Sequence, residues 1–183
     1  METYFNIRYE MDKEAVWQSI DRFIREQAPT YICVADGVIL NITNRNPEYL
    51  KVVNGSAFSI CDSSYVPIYL KWIYGIHREQ YCGSQIFMDL IKMKKYRMFF
   101  MGTSAKTLAA LKENLVKIDN RIADMTFYEL PFRTVDQFDY QKIADMGCTG
   151  CAQARDFHEQ VEAFPETRRN DCCWGCFQVL QRP

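Results

Sequence analysis

The chain has 183 residues, room for one domain of ordinary size, and its 48% hydrophobic and 14% aromatic content is enough for a core. A formal net charge of −1 points away from nucleic acid as a partner. No uninterrupted apolar stretch is long enough to span a bilayer, and the opening Met-Glu-Thr-Tyr-Phe-Asn lacks the basic segment and apolar run of a secretion signal, so a cytosolic setting with reduced thiols is expected.

Thr3 to Tyr9 alternates polar and apolar residues, which predicts one short, half-exposed strand. Asp12 then caps a helix whose apolar stripe is Val16, Ile20, Phe23 and Ile24, and Ala28-Pro29 stops it. Tyr31 to Val34 reads as a buried strand followed by Ala35-Asp36-Gly37. Asn46-Pro47-Glu48 opens a further helix with proline in its first turn, and Asn54-Gly55 closes it. Ala57 to Cys61 is a third strand with Asp62 at its carboxyl end. Pro67 to Tyr74 is strongly aromatic and reads as a core helix. Gly83 precedes a helix carrying Ile86, Phe87, Leu90 and Ile91, and Lys92, Lys94 and Lys95 form a solvated face after it.

The stretch Arg97 to Ile118 is the most complete unit. Met98 to Met101 is a continuous apolar run, the mark of a strand covered on both faces. Gly102 ends it, Thr103 or Ser104 can cap the next helix, and Leu108, Leu111, Leu115 and Ile118 recur at helical spacing. The turn is either an ordinary strand-to-helix connection or a seat for nucleotide phosphates on the helix amides. Met125 to Leu130 is a weaker strand and Val135 to Met146 a last helix. The alternation of strand and helix predicts an α/β fold with a mainly parallel, Rossmann-like sheet and crossover helices.

Ligands of open α/β sheets bind beyond the carboxyl ends of the strands, and Asp36 and Asp62 occupy that edge. An ionised carboxylate there can act as a general base, or it can simply cap a helix or close a turn. Arg78, in the loop before Gly83, can pair with a diphosphate or belong to an ordinary surface loop. Neither a Ser-His-Asp order nor a Walker loop nor His-Glu-x-x-His occurs.

After Met146 the periodicity fades and five of the eight cysteines crowd together. Cys148-Thr149-Gly150-Cys151 and Cys173-Trp174-Gly175-Cys176 are two C-x-x-C knuckles, and four thiolates so spaced can hold zinc tetrahedrally. On that basis the alternative to an enzyme is a non-catalytic zinc-binding interaction module.

An ordered set of segments resembles the WecG/TagA/CpsF family of bacterial glycosyltransferases. Tyr31-Ile-Cys-Val-Ala-Asp36 resembles the family's first strand and turn, and Asn46-Pro-Glu-Tyr-Leu-Lys-Val-Val-Asn-Gly55 the following helix. Ser59-Ile-Cys-Asp62 resembles the strand that ends in the family's essential aspartate. Glu79-Gln-Tyr-Cys-Gly-Ser-Gln85 resembles its Thr-Gly-x-Asp segment, and Arg97 to Gly102 its Val-Phe-Leu-Leu-Gly strand. The chain departs from the pattern at Gln85, which replaces an aspartate, at Gln80, which replaces an arginine with Arg78 nearby, and at Asp62-Ser63, which replaces Asp-Gly.

The resemblance implies transfer of an N-acetylmannosamine-type sugar from a UDP-sugar to a polyprenyl-diphosphate-linked acceptor. The setting would be the inner face of the bacterial membrane, with the enzyme cytoplasmic and peripheral. It implies inversion at the sugar carbon without a required metal or other cofactor, and leaves a homo-oligomer open. Asp62 would be the catalytic base, and Asp36, Arg78, Gly83, Gln85, Gly102 and Thr103 would contact substrate.

The family's Leu-Gly-x-Pro-Lys-Gln-Glu motif is not present as written. The codons for Met146 to Arg155, read one base later, can spell Trp-Val-Ala-Leu-Gly-Ala-Pro-Lys-Gln-Glu. Those for Val161 to Trp174 can go on to end in Gly-Val-Met-Ile-Ala-Val-Gly. The expectation is therefore a glycosyltransferase-like domain over residues 1–146 and an irregular, out-of-frame tail over 147–183, in which the cysteine knuckles are by-products of Gly-, Ala- and Val-rich codons. The family's last strands would then be missing and the chain truncated or inactive.

Overall fold

The computed structural model describes residues 1–26 and 30–129. The chain divides into two compact units, the first comprising Met1–Phe87 and the second starting at Met88.

The first unit is built on a four-stranded sheet of order β1-β2-β4-β3, with β1 at Glu2–Tyr4, β2 at Ile7–Tyr9, β3 at Ile32–Ala35 and β4 at Phe58–Cys61. β1 and β2 are antiparallel, whereas β2 pairs with β4, and β4 with β3, in parallel. The single strand expected over Thr3–Tyr9 is therefore a hairpin. Its turn residues Phe5 and Asn6 take φ of 53° and 64°, the left-handed pair that a two-residue hairpin turn needs. Asn6 adopts that region readily, whereas Phe5 does not, so composition gave little sign of the reversal.

Helix α1, Lys13–Glu26, begins where Asp12 accepts a hydrogen bond from the Ala15 amide at 2.7 Å, and it buries Val16 and Ile20. Helix α2, Gly37–Thr43, was not expected, and Asp36 caps it by accepting from the amides of Val38 and Ile39 at 2.9 Å each. Helix α3, Pro47–Gly55, starts at Asn46, whose side chain caps it, with proline in the first turn where its missing N–H costs nothing. The Arg8 side chain donates to the carbonyls of Asn54 and Ser56, tying β2 to the end of α3.

The aromatic segment forms helix α4, Tyr65–Tyr69, which runs on into a π-helical turn, Leu70–Tyr74. It is helical as expected but not a core helix. Only Val66 and Leu70 are buried, while Tyr65, Trp72 and Ile73 are 64%, 79% and 63% exposed. Gly75 ends it at φ 69°, the usual left-handed stop. Helix α5, Gly83–Met93, buries Ile86, Leu90 and Ile91 and runs across the boundary between the units.

In the second unit β5, Phe99–Met101, pairs in parallel with β6, Thr126–Tyr128. Phe100 stacks on Phe127 with ring centroids 4.4 Å apart. Phe100 is buried but Phe99 and Met101 are half-exposed, so the run is not covered on both faces as its composition suggested. Helix α6, Ala105–Val116, buries Leu108 and Leu115, and a 3₁₀ turn at Asn120–Asp124 leads into β6. The described residues thus form a mixed α/β structure with a mostly parallel sheet, compatible with a Rossmann-like fold. The expected stop at Ala28-Pro29, the helix over Val135–Met146 and the cysteine-rich tail lie outside the described residues.

Candidate active site at the carboxyl edge of the sheet

Ala35 and Cys61 are register partners in β3 and β4, so the next residues, Asp36 and Asp62, leave the sheet side by side at its carboxyl edge. The two carboxylates have different surroundings. Asp36 accepts two amide hydrogen bonds from the first turn of α2, a complete capping arrangement. Asp62 accepts the Gly83 amide on Oδ1 at 2.7 Å, through that oxygen alone among the described residues. Its main-chain carbonyl accepts from Nε2 of Gln80 at 2.7 Å. The carboxylate is thus held at the first turn of α5, where a negative group complements the helix dipole. A Cβ on Gly83 would stand 3.3 Å from a Val34 methyl, a tight contact, and 3.6 Å from Asp62 Oδ1, an ordinary one.

Gln85 has a local role. Its Oε1 accepts the Cys82 amide at 3.2 Å, one half of a capping box, while the Gln85 amide donates to the Cys82 main-chain carbonyl at 3.0 Å, an ordinary bond of the first turn. Gly83 and Gln85 are therefore joined to Asp62 through one turn.

Arg78 is already engaged. Its Nη2 lies 2.9 Å from both carboxylate oxygens of Glu2, and Nε is 3.3 Å from one of them. Glu2 also accepts from the Tyr4 hydroxyl at 2.8 Å. The Tyr4 hydrogen bond, and then the guanidinium, hold the Glu2 carboxyl below its usual range, and the pairing raises Arg78.

Two features were not anticipated. The Tyr9 ring is fully buried at the end of β2, and its hydroxyl has no hydrogen-bond partner among the described residues. Burial, reinforced by Cys61 and Asp36, raises this phenol well above its ordinary range. Ser59, its register partner, likewise has a buried hydroxyl without a partner among the described residues. Cys61 donates to the Ser63 carbonyl at 3.4 Å, and burial pushes its thiol up to about 11. The only sequence sign of these groups was polar side chains in strand positions that alternation turns to a buried face.

In the second unit, Gly102 has φ 138° and its amide donates to the Tyr128 carbonyl at 3.1 Å. Thr103 has φ 45°, and the residue that caps α6 is Ser104, which accepts the Thr107 amide at 3.4 Å. Among the described residues no cluster of three or more His, Cys, Asp and Glu side chains could hold a metal, and Cys148, Cys151, Cys173 and Cys176 lie outside them. No helix of the described residues is long and apolar enough to cross a membrane.

In a comparison with known protein families, the model of the glycosyl transferase WecG/TagA/CpsF family matches residues 3–153. No curated protein sequence matches the chain.

Proposed function

Since the chain belongs to the glycosyl transferase WecG/TagA/CpsF family, glycosyltransferases of cell-surface polysaccharide synthesis, we propose that its site is built to transfer an N-acetylmannosamine-type sugar from a UDP-sugar to a polyprenyl-diphosphate-linked acceptor. The observation that carries this reading is Asp62. It stands beyond the carboxyl end of β4, with one oxygen fixed by the Gly83 amide and the other directed to no donor among the described residues.

In this mechanism the acceptor hydroxyl oxygen attacks the anomeric carbon as the bond from that carbon to UDP breaks. The hydroxyl proton passes to Asp62, UDP departs with the bonding pair, and the anomeric configuration inverts. The fixed orientation of the carboxylate supplies positioning without rearrangement at the moment of transfer. Asp36, Gly83 and Gln85 shape the edge around it. Arg78 would serve the diphosphate only by exchanging Glu2 for it. Gly102 and Thr103 stay candidate nucleotide contacts on the family resemblance alone, and the Gly102 amide itself donates to the Tyr128 carbonyl. The enzyme would act as a peripheral protein at the inner face of the membrane.

The chain from about Gly147 is, in this reading, out of frame, which removes the Lys-Gln-Glu side chains and leaves the protein as written impaired. The test is transfer from UDP-N-acetylmannosamine to a lipid-diphosphate acceptor by protein with the frame restored, and by its Asp62→Asn variant. Loss of a positioned general base should lower turnover by about 10²–10⁴-fold. Equal turnover by the variant would remove Asp62 from the mechanism.

A further inference from the structure

We propose that the outer face of the helix Tyr65–Tyr74 is a membrane-docking surface that lies in the headgroup layer of an anionic bilayer. The proposal rests on the lipid-linked acceptor reading only in requiring a membrane at hand.

The segment Tyr-Val-Pro-Ile-Tyr-Leu-Lys-Trp-Ile-Tyr carries a single charge. Val66 and Leu70 are fully buried and fix the helix to the first unit. Tyr74 packs edge-on against Tyr4 and Phe5, and most of the remaining side chains are exposed. Trp72 is 79% exposed, Tyr65 64% and Ile73 63%, with Ile68 and Tyr69 at 43% and 41%. Monomeric soluble proteins scatter single apolar residues over their surfaces, whereas a contiguous cluster of this kind marks an interaction site.

Its chemistry selects the occupant. Trp and Tyr side chains pair an apolar ring with a polar edge, and they concentrate where hydrocarbon meets headgroups. Between Asp62 and Glu79 there is no acidic side chain, and Lys71 is exposed in the middle of the cluster. An apolar, ring-rich segment with one cation and no anion of its own complements an anionic lipid surface, and the nearby Glu2 is neutralised by Arg78. Placement adds to this. Tyr65 follows Asp62 by three residues, so docking this face holds the candidate base close to the plane from which a lipid-linked acceptor hydroxyl emerges.

Flotation through a sucrose gradient with phosphatidylglycerol-containing vesicles tests the proposal on the soluble fraction of the full chain, cleared of aggregate by centrifugation beforehand, so that only dispersed protein is scored. Wild type should float with these vesicles and much less with pure phosphatidylcholine. The double variant Trp72→Ser, Ile73→Ser should lower the floated fraction about tenfold or more, with an unchanged melting transition, because both side chains are exposed. Lys71→Glu should weaken binding to the anionic vesicles by about fivefold or more. Wild type remaining at the bottom, or the double variant floating equally, overturns the assignment. So does a dimer that the double variant abolishes without any flotation, which would give the face to a second copy. UDP titration by calorimetry, with the same surface variants placed in the restored frame, separates the two readings. UDP binding without flotation sinks the docking surface alone, and flotation without UDP binding sinks the nucleotide-sugar reading alone.

Discussion

At Asp62 a single carboxylate combines a structural and a chemical role, and the two can be separated by substitution. Asparagine keeps an oxygen that can accept the Gly83 amide, while alanine does not. Asp62→Ala should therefore lower stability by about 1 kcal/mol, the usual cost of a lost cap, and Asp62→Asn by only a few tenths. Urea denaturation measures the difference, and equal losses would show that the hydrogen bond does not hold α5. Arg78 poses a different question, because Glu2 already occupies its planar fork. If the guanidinium exchanges Glu2 for a diphosphate, Glu2→Gln should tighten UDP binding and Arg78→Gln should weaken it. Calorimetry showing no change in either variant would confine Arg78 to its ion pair. Asp119 is buried, caps the 3₁₀ turn, and binds Arg121 through Nε and Nη2 at 2.7–3.2 Å. The Arg121 hydrogen bonds hold its carboxyl below the usual aspartate range. Its contribution is thus present above the unfolded-state value and is lost as pH falls through the lower, folded-state one. Wild type should lose more stability than Asp119→Asn across that acid window, and parallel pH profiles would contradict the assignment.

At the scale of elements, the sequence was legible wherever a cap and a period agreed. Asp12 with Val16 and Ile20 marked α1, and Asn46-Pro47 marked α3 to within a residue. It was less legible where one residue served two ends. Asp36 reads from sequence as a general base or as a cap, and the helix it caps is too short at seven residues to show a period. The hairpin at Phe5-Asn6 was hidden because Phe5 is not a residue that favours the left-handed turn it adopts, which leaves Asn6 as the single turn signal. The aromatic helix was recognised, but composition alone cannot say which face finds a partner. Of the candidate site, the Asp62 edge was readable from its place after a buried strand. The Gly83 amide and the unpartnered Tyr9 hydroxyl were not, because both depend on contacts between distant segments. Gly102 shows what backbone geometry adds. An added Cβ would meet no atom within 4 Å, yet φ is 138°, a region that L side chains avoid. Gly102→Ala should cost about 1–3 kcal/mol through strain without any clash, read as a lower urea midpoint at unchanged slope. A stability equal to wild type would show that the turn relaxes freely.

For the whole molecule the decisive question is what completes the sheet that begins with β5 and β6. Parallel strands are stable when both faces are covered, and two strands alone are a marginal sheet. The described residues give this sheet two strands, with Phe99 and Met101 half-exposed. The frame read one base later offers what the written frame lacks, namely Trp-Val-Ala-Leu-Gly, the Pro-Lys-Gln-Glu turn and the apolar run Gly-Val-Met-Ile-Ala-Val-Gly. The family match itself ends at residue 153, leaving residues 154–183 outside it. If those shifted strands extend the sheet, the chain as written presents apolar surface and an open strand edge, both of which favour aggregation. Protein expressed as written should then be poorly soluble and hold less than stoichiometric zinc, because on this account Cys148, Cys151, Cys173 and Cys176 were never selected as ligands. Restoring the frame should raise soluble yield, cooperative melting and transferase activity together, since one set of strands supports all three. A monomeric, cooperatively melting protein with one zinc per chain in the written frame would overturn this account and establish the four-cysteine tail as a metal site.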